Sequence, residues 1–195
     1  MIPLAQLFSA MGFFAILDYL KEKVRKFNLA SFVLPLYLGI LFLSLESSLM
    51  EYFGNYAVTY SQDRQYGYQE TVAYIKENYN KYDKIIISKK YGEPHEFVLF
   101  FWPWDSAKYK SDPNLIRFAQ SDWFWVDRFD KFYFVNDWDI PKSGTSFVLE
   151  SKGKVDCSKS TCLLVTSPEN KPSGWQKLET INFLDGREAF EIYEN

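Results

Sequence analysis

Histidine occurs once in this chain, at His95, and cysteine twice, at Cys157 and Cys162. A structural zinc site needs more ligands than two cysteines and one distant histidine supply, so no metal is expected. The chain has no glycine-rich phosphate loop, dinucleotide fingerprint, nucleophile elbow or metal-binding helix, which excludes the enzyme classes those motifs define. It also lacks an arginine-rich helix and any zinc-finger spacing, and its net charge is -3, so nucleic acid is not an expected partner. No internal repeat is evident. What the chain does have is an uneven distribution of apolar residues: the first fifty positions hold nearly all the lipid-like sequence, and from Glu51 onward the chain is charged and rich in tyrosine.

Residues 29–45, LASFVLPLYLGILFLSL, carry no charge and, at about 17 residues, reach the lower length limit for crossing a hydrocarbon core. Pro35 within them is tolerable where neighbouring helices compensate the missing backbone bond. A shorter apolar run opens the chain, interrupted by Gln6. No basic residue precedes it, so it does not read as a signal peptide. The expectation is a transmembrane hairpin over residues 1–50, with spans at 2–19 and 29–48. The loop 21–26 holds Lys21, Lys23, Arg25 and Lys26, and the positive-inside rule places it in the cytoplasm. Residues 51–195 then form an extracytoplasmic domain on a multi-pass membrane protein, with membrane lipid as a partner. Tyr52, Phe53, Tyr56 and Tyr60 suit the headgroup zone.

The outer part reads as α/β with a mixed sheet. Tyr68, Val72, Ile75 and Tyr79 recur at helical spacing on one face. Ile85, Ile86 and Ile87 form a strand apolar on both sides, of the kind buried between layers. Gly92 permits a sharp turn and Pro94 suits a first helical position, so a second helix follows over 95–102. Asp112-Pro113 resembles a cap opening a short helix through Ala119. Strands are expected at 132–135, 146–150 and 162–166, and a terminal hairpin around Asp185-Gly186. Cys157 and Cys162 lie close enough for a loop-closing disulfide in an oxidising compartment; two free thiols are the alternative.

Ligands of open α/β sheets bind outside the carboxyl ends of strands, which directs attention to the turn after Ile87. There Tyr91, Glu93 and His95, with Tyr66 and Tyr68 upstream, are candidates to contact a sugar or phosphate. The bland alternatives are a locally bonded histidine and a glutamate that favours its helix N-terminus without any ligand. Lys89 and Lys90 read as solvated, and Asp127, Asp130, Asp137 and Asp139 as surface loop. Trp123-Phe124-Trp125, with Trp102 and Trp104, suits a core or membrane role before a sugar platform.

The order of a membrane hairpin, Gln65-Tyr66-Gly67-Tyr68-Gln69-Glu70, Ile85-Ile86-Ile87-Ser88, Tyr91-Gly92-Glu93-Pro94-His95, Phe132-Tyr133-Phe134 and Asp185-Gly186 with Phe190 resembles the C-terminal part of family 39 membrane glycosyltransferases, relatives of the protein mannosyltransferases and the aminoarabinose transferase of lipid A. The resemblance implies a C-type glycosyltransferase that moves a sugar from a polyprenyl-phosphate donor to an extracytoplasmic acceptor, with inversion. Its essential acidic residue sits in a first external loop to which nothing here corresponds. No catalytic residue is therefore expected in this segment, nor any cofactor beyond the donor substrate, and its partner would be the missing N-terminal transmembrane part of the same enzyme. The chain is expected to be a fragment, or a truncated protein in its own right. The alternative function is a non-catalytic, membrane-anchored domain that binds carbohydrate or a partner protein.

Overall fold

A computed structural model describes residues 2–23, 30–120 and 122–195. The chain divides into two compact units, Met1–Asn55 and Tyr56–Asn195. The first consists of α1 (Ile2–Lys23) and α2 (Ala30–Phe53), with α3 (Asn55–Thr59) beginning at its edge. The stretch Phe32–Thr59 is long and apolar enough to cross a membrane, and by that measure it is the single such stretch among the described residues. At 1.5 Å per residue, the 24 residues of α2 span about 36 Å, more than the roughly 30 Å of a hydrocarbon core. A two-helix transmembrane hairpin is not shown. The basic turn expected at 21–26 begins within α1, and the rest of it lies outside the described residues. The Phe13 ring stacks on Tyr37 at 4.1 Å, so the two helices touch at mid-length.

In the second unit the chain runs α4 (Tyr68–Asn78), β1 (Lys84–Ser88), α5 (Pro94–Phe101), α6 (Ser106–Lys110), β2 (Ile116–Gln120), β3 (Trp123–Phe129), β4 (Phe132–Val135), β5 (Ser146–Val148), β6 (Lys154–Asp156), β7 (Cys162–Thr166), β8 (Gln176–Asn182) and β9 (Glu188–Glu194). Seven strands form one mixed sheet in the order β2-β3-β4-β1-β7-β9-β8. The centre is parallel, β1 lying between β4 and β7, and both flanks are antiparallel. β5 and β6 pair separately.

Strand side chains alternate between faces, and each face of this sheet has its own core. Ile85, Ile87, Phe132, Phe134, Leu163 and Val165 pack against Tyr68, Val72 and Ile75 of α4 and Val98 of α5. Ile86, Tyr133, Val135 and Leu164 meet Phe147, Val155 and Trp175 on the other side. This explains the unbroken apolar run of β1: one isoleucine serves the β5–β6 layer and its two neighbours serve the helices. Gly67, just before α4, has φ 100°, and a Cβ there would sit 3.3 Å from Ile181 and Phe190, so the helix starts against the sheet only with glycine. Cys157 and Cys162 are joined by a disulfide that closes the connection between β6 and β7.

The helix expected from Pro113 through Ala119 is instead the edge strand β2, paired with β3 through Phe118 opposite Trp125. Asp112 does not cap a helix. One of its oxygens accepts from the Asn114 amide at 2.8 Å and the other from the Asp130 amide, so it pins a turn. The expected strand at 146–150 ends at Val148, and Leu149 to Lys152 turns back into β6.

Candidate functional site

Three parallel strands end together, since Ser88 pairs with Val135 and Ile87 with Val165. Just beyond these ends lies Asp137. The Ser88 hydroxyl donates to it at 2.6 Å and the Ser167 hydroxyl at 2.9 Å, so one carboxylate links the end of β1 to the segments following β4 and β7. The surface-loop expectation fails for this residue, which is buried, and for Asp127, which lies in β3 and is fully buried. The solvated reading fails for Lys89 as well. Its ammonium reaches Asp127 at 2.7 Å and Glu150 at 3.0 Å, and the second Asp127 oxygen accepts from the Ser151 amide at 2.7 Å. Lys90 is half exposed, 3.9 Å from Asp137. These charges are paired and hydrogen-bonded, as burial demands.

The turn after β1 is held from the other side of the chain. Gln65 donates from its side-chain amide to the Tyr91 carbonyl, and Gly92 has φ 107° with the Gln65 amide pressed against it, so no other residue fits there without moving that contact. Glu93 then precedes α5 and Pro94 opens it. Of the five contact candidates, Tyr68 is a core residue: its ring stacks on Phe97 at 4.1 Å and its buried hydroxyl has no partner among the described residues. Tyr91 packs edge-on against Phe183 and Phe190. Tyr66 is partly buried against the helix-side core, and a hydrogen bond from its hydroxyl to Glu70 raises its pKa. Glu93 and His95 are brought together, Nδ1 of the ring lying 3.6 Å from the carboxylate.

Glu93 and Glu96 line a cleft of about 330 Å³ with Gln65, Gly92, Phe97, Trp123 and Trp125. The β2–β3 hairpin thus brings two indole rings to the strand-end turn, an association the tryptophan spacing alone did not reveal. A larger cleft of about 550 Å³ lies between Trp102, Trp104, Asp112 and Asp130. Its carboxylates are occupied: Asp105 caps α6 through the Lys108 amide, Asp112 pins its turn, and Asp130 accepts from Tyr79. In the smaller cleft Glu93 makes no cap bond to its own helix, which leaves its carboxylate available. We therefore take the smaller cleft as the candidate site.

Its electrostatics are unusual for so small a group. Burial, then the like charge of Glu96, raises the Glu93 pKa. Burial, with Lys89 and Arg117 nearby, lowers the pKa of His95 to about 4, so the ring is neutral at pH 7. Apolar indole faces beside carboxylate acceptors match the two sides of a sugar, whose C–H face stacks and whose hydroxyls donate. The signal in the sequence that pointed here was the Gly92-Glu93-Pro94 turn; Glu96 carried none. No family model, curated protein or solved structure matches this chain.

Proposed function

We propose that this chain is the membrane-embedded end and external α/β domain of a polyprenyl-phosphate-dependent glycosyltransferase, and that its cleft contacts carbohydrate. The observation that carries the reading is the cleft at the carboxyl end of β1, lined by Trp123, Trp125, Glu93 and Glu96, in a chain whose Phe32–Thr59 stretch suits a bilayer. Support for a second span comes from α1, which touches α2 through Phe13 and Tyr37. Support for an external position comes from the lysines that end α1 and from the disulfide, which persists in oxidising compartments. Sugar transfer itself belongs to parts of the enzyme outside this segment, because no described carboxylate corresponds to the acidic loop of the family it resembles.

The test is a transfer assay with a radiolabelled polyprenyl-phosphate sugar. Membranes containing the complete native polypeptide transfer label to an external acceptor, and the 195-residue chain alone does not. Transfer by this chain alone contradicts the proposal. The second reading is a domain that binds carbohydrate without any enzyme. The availability of Glu93 and the exposed Trp123 ring favour it equally, and it is separated from the first by a native polypeptide that binds glycans but transfers none.

A further inference from the structure

We propose that Glu93, His95 and Glu96 together bind one divalent transition-metal ion, with open coordination positions toward the cleft that the two glutamates line. One ligand atom from each residue lies within 4.8 Å of the others. Bonds of about 2.0–2.2 Å to zinc-like ions place ligand atoms roughly 3–4 Å apart, so small side-chain rotations close the set. One imidazole nitrogen with two carboxylates suits zinc, manganese or iron better than calcium or magnesium, which take oxygen alone. The sequence expectation of no metal considered His95 with the two cysteines; the fold joins the histidine to glutamates instead and ties the cysteines to each other.

Two carboxylates at the start of α5 need no ion to be stable there, since the helix dipole favours them. The histidine is the independent observation. Its residue is 8% exposed, and its Nδ1 lies 3.6 Å from the Glu93 carboxylate, beyond a normal hydrogen bond. An ion held between them would offset the like charges of Glu93 and Glu96, two carboxylates that line one cleft beside the buried ring. The neighbouring cations do not fill that role. Lys89 is taken up by Asp127 and Glu150, and Arg117 lies over the Phe124 ring at 4.3 Å. The inference stands on these residues and is independent of the glycosyltransferase reading.

The experiment uses the full chain in detergent, without a polyhistidine tag, stripped with a chelator and titrated calorimetrically with zinc and manganese salts. Saturable binding of one ion per chain is expected, with Kd raised at least tenfold in Glu96→Gln and in His95→Gln. Cobalt substitution should give a ligand-field absorption band that both variants lose. Glu96 is exposed, so Glu96→Gln leaves the core intact and decides the matter even where His95→Gln unfolds. Absence of saturable binding to the unmodified chain, or equal affinity in Glu96→Gln, overturns the proposal.

Discussion

Ile40, Leu41, Phe42 and Leu43 of α2 are 57%, 47%, 67% and 64% exposed, whereas Ile85, Ile86 and Ile87 of β1 are 0–1% exposed. The two runs are equally apolar and differ only in what covers them. β1 is sandwiched because a sheet presents two faces and this chain supplies a layer for each. α2 presents a full circle, and the described residues cover almost none of it. The stretch is long and apolar enough to cross a membrane, and such a surface suits lipid or other apolar helices. Hydrophobicity alone cannot distinguish the two regions; layer supply does.

Substitutions sharpen this contrast. The largest effect belongs to Phe134→Ala, which opens a cavity against Phe129 in the helix-side core and should cost about 3–5 kcal/mol by denaturant unfolding of the Tyr56–Asn195 unit. Leu41→Ala in α2 should leave that unfolding curve in place; a shift of comparable size would break the contrast between a covered core and an uncovered helix surface.

Next is pH. His95 is neutral in the fold, with its pKa lowered to about 4 from 6.5, so between these values the unfolded chain binds the extra proton and stability falls as pH falls. The full effect is on the order of 3 kcal/mol, complete below pH 4. Glu93, whose pKa is raised, opposes it: its contribution is greatest at low pH and fades as pH rises through its folded value. A His95→Gln variant that kept the full acid sensitivity would refute the assignment to this ring.

Opening the disulfide by replacing both cysteines with serine should cost about 2 kcal/mol, because the closed loop is short. Trp123→Ala should cost little stability, under about 0.5 kcal/mol, since the ring is mostly exposed. Its effect on glycan binding, read by intrinsic fluorescence, should be a loss of tenfold or more; unchanged binding would remove the indole platform from the site.

The sequence displayed those elements whose side chains follow a single period. α4 showed its helical stripe, β1, β4 and β7 their β-branched and aromatic runs, and β8 and β9 their alternation about Asp185-Gly186. β2 and β3 were hidden. Arg117, Ala119 and Gln120 interrupt any apolar signal because β2 is an exposed edge, and Asp112-Pro113 imitates a helix start. Paired charges were hidden too. Nothing local distinguishes Lys89 and Asp127, which are buried against each other, from Lys90 and Asp139, which are not, because the pairing crosses from the turn after β1 to β3. The turn that anchors the candidate site was legible in Gly92 and Pro94. Its tryptophan wall was not, since it arrives from a hairpin formed about thirty residues later by an edge strand that the pattern concealed.

Membrane-impermeant biotinylation of exposed lysines such as Lys154 and Lys159, in intact cells carrying the native polypeptide, tests the external placement most directly. The account predicts full labelling before lysis and no further gain after it. Protection of both lysines until the membrane is opened would contradict the account.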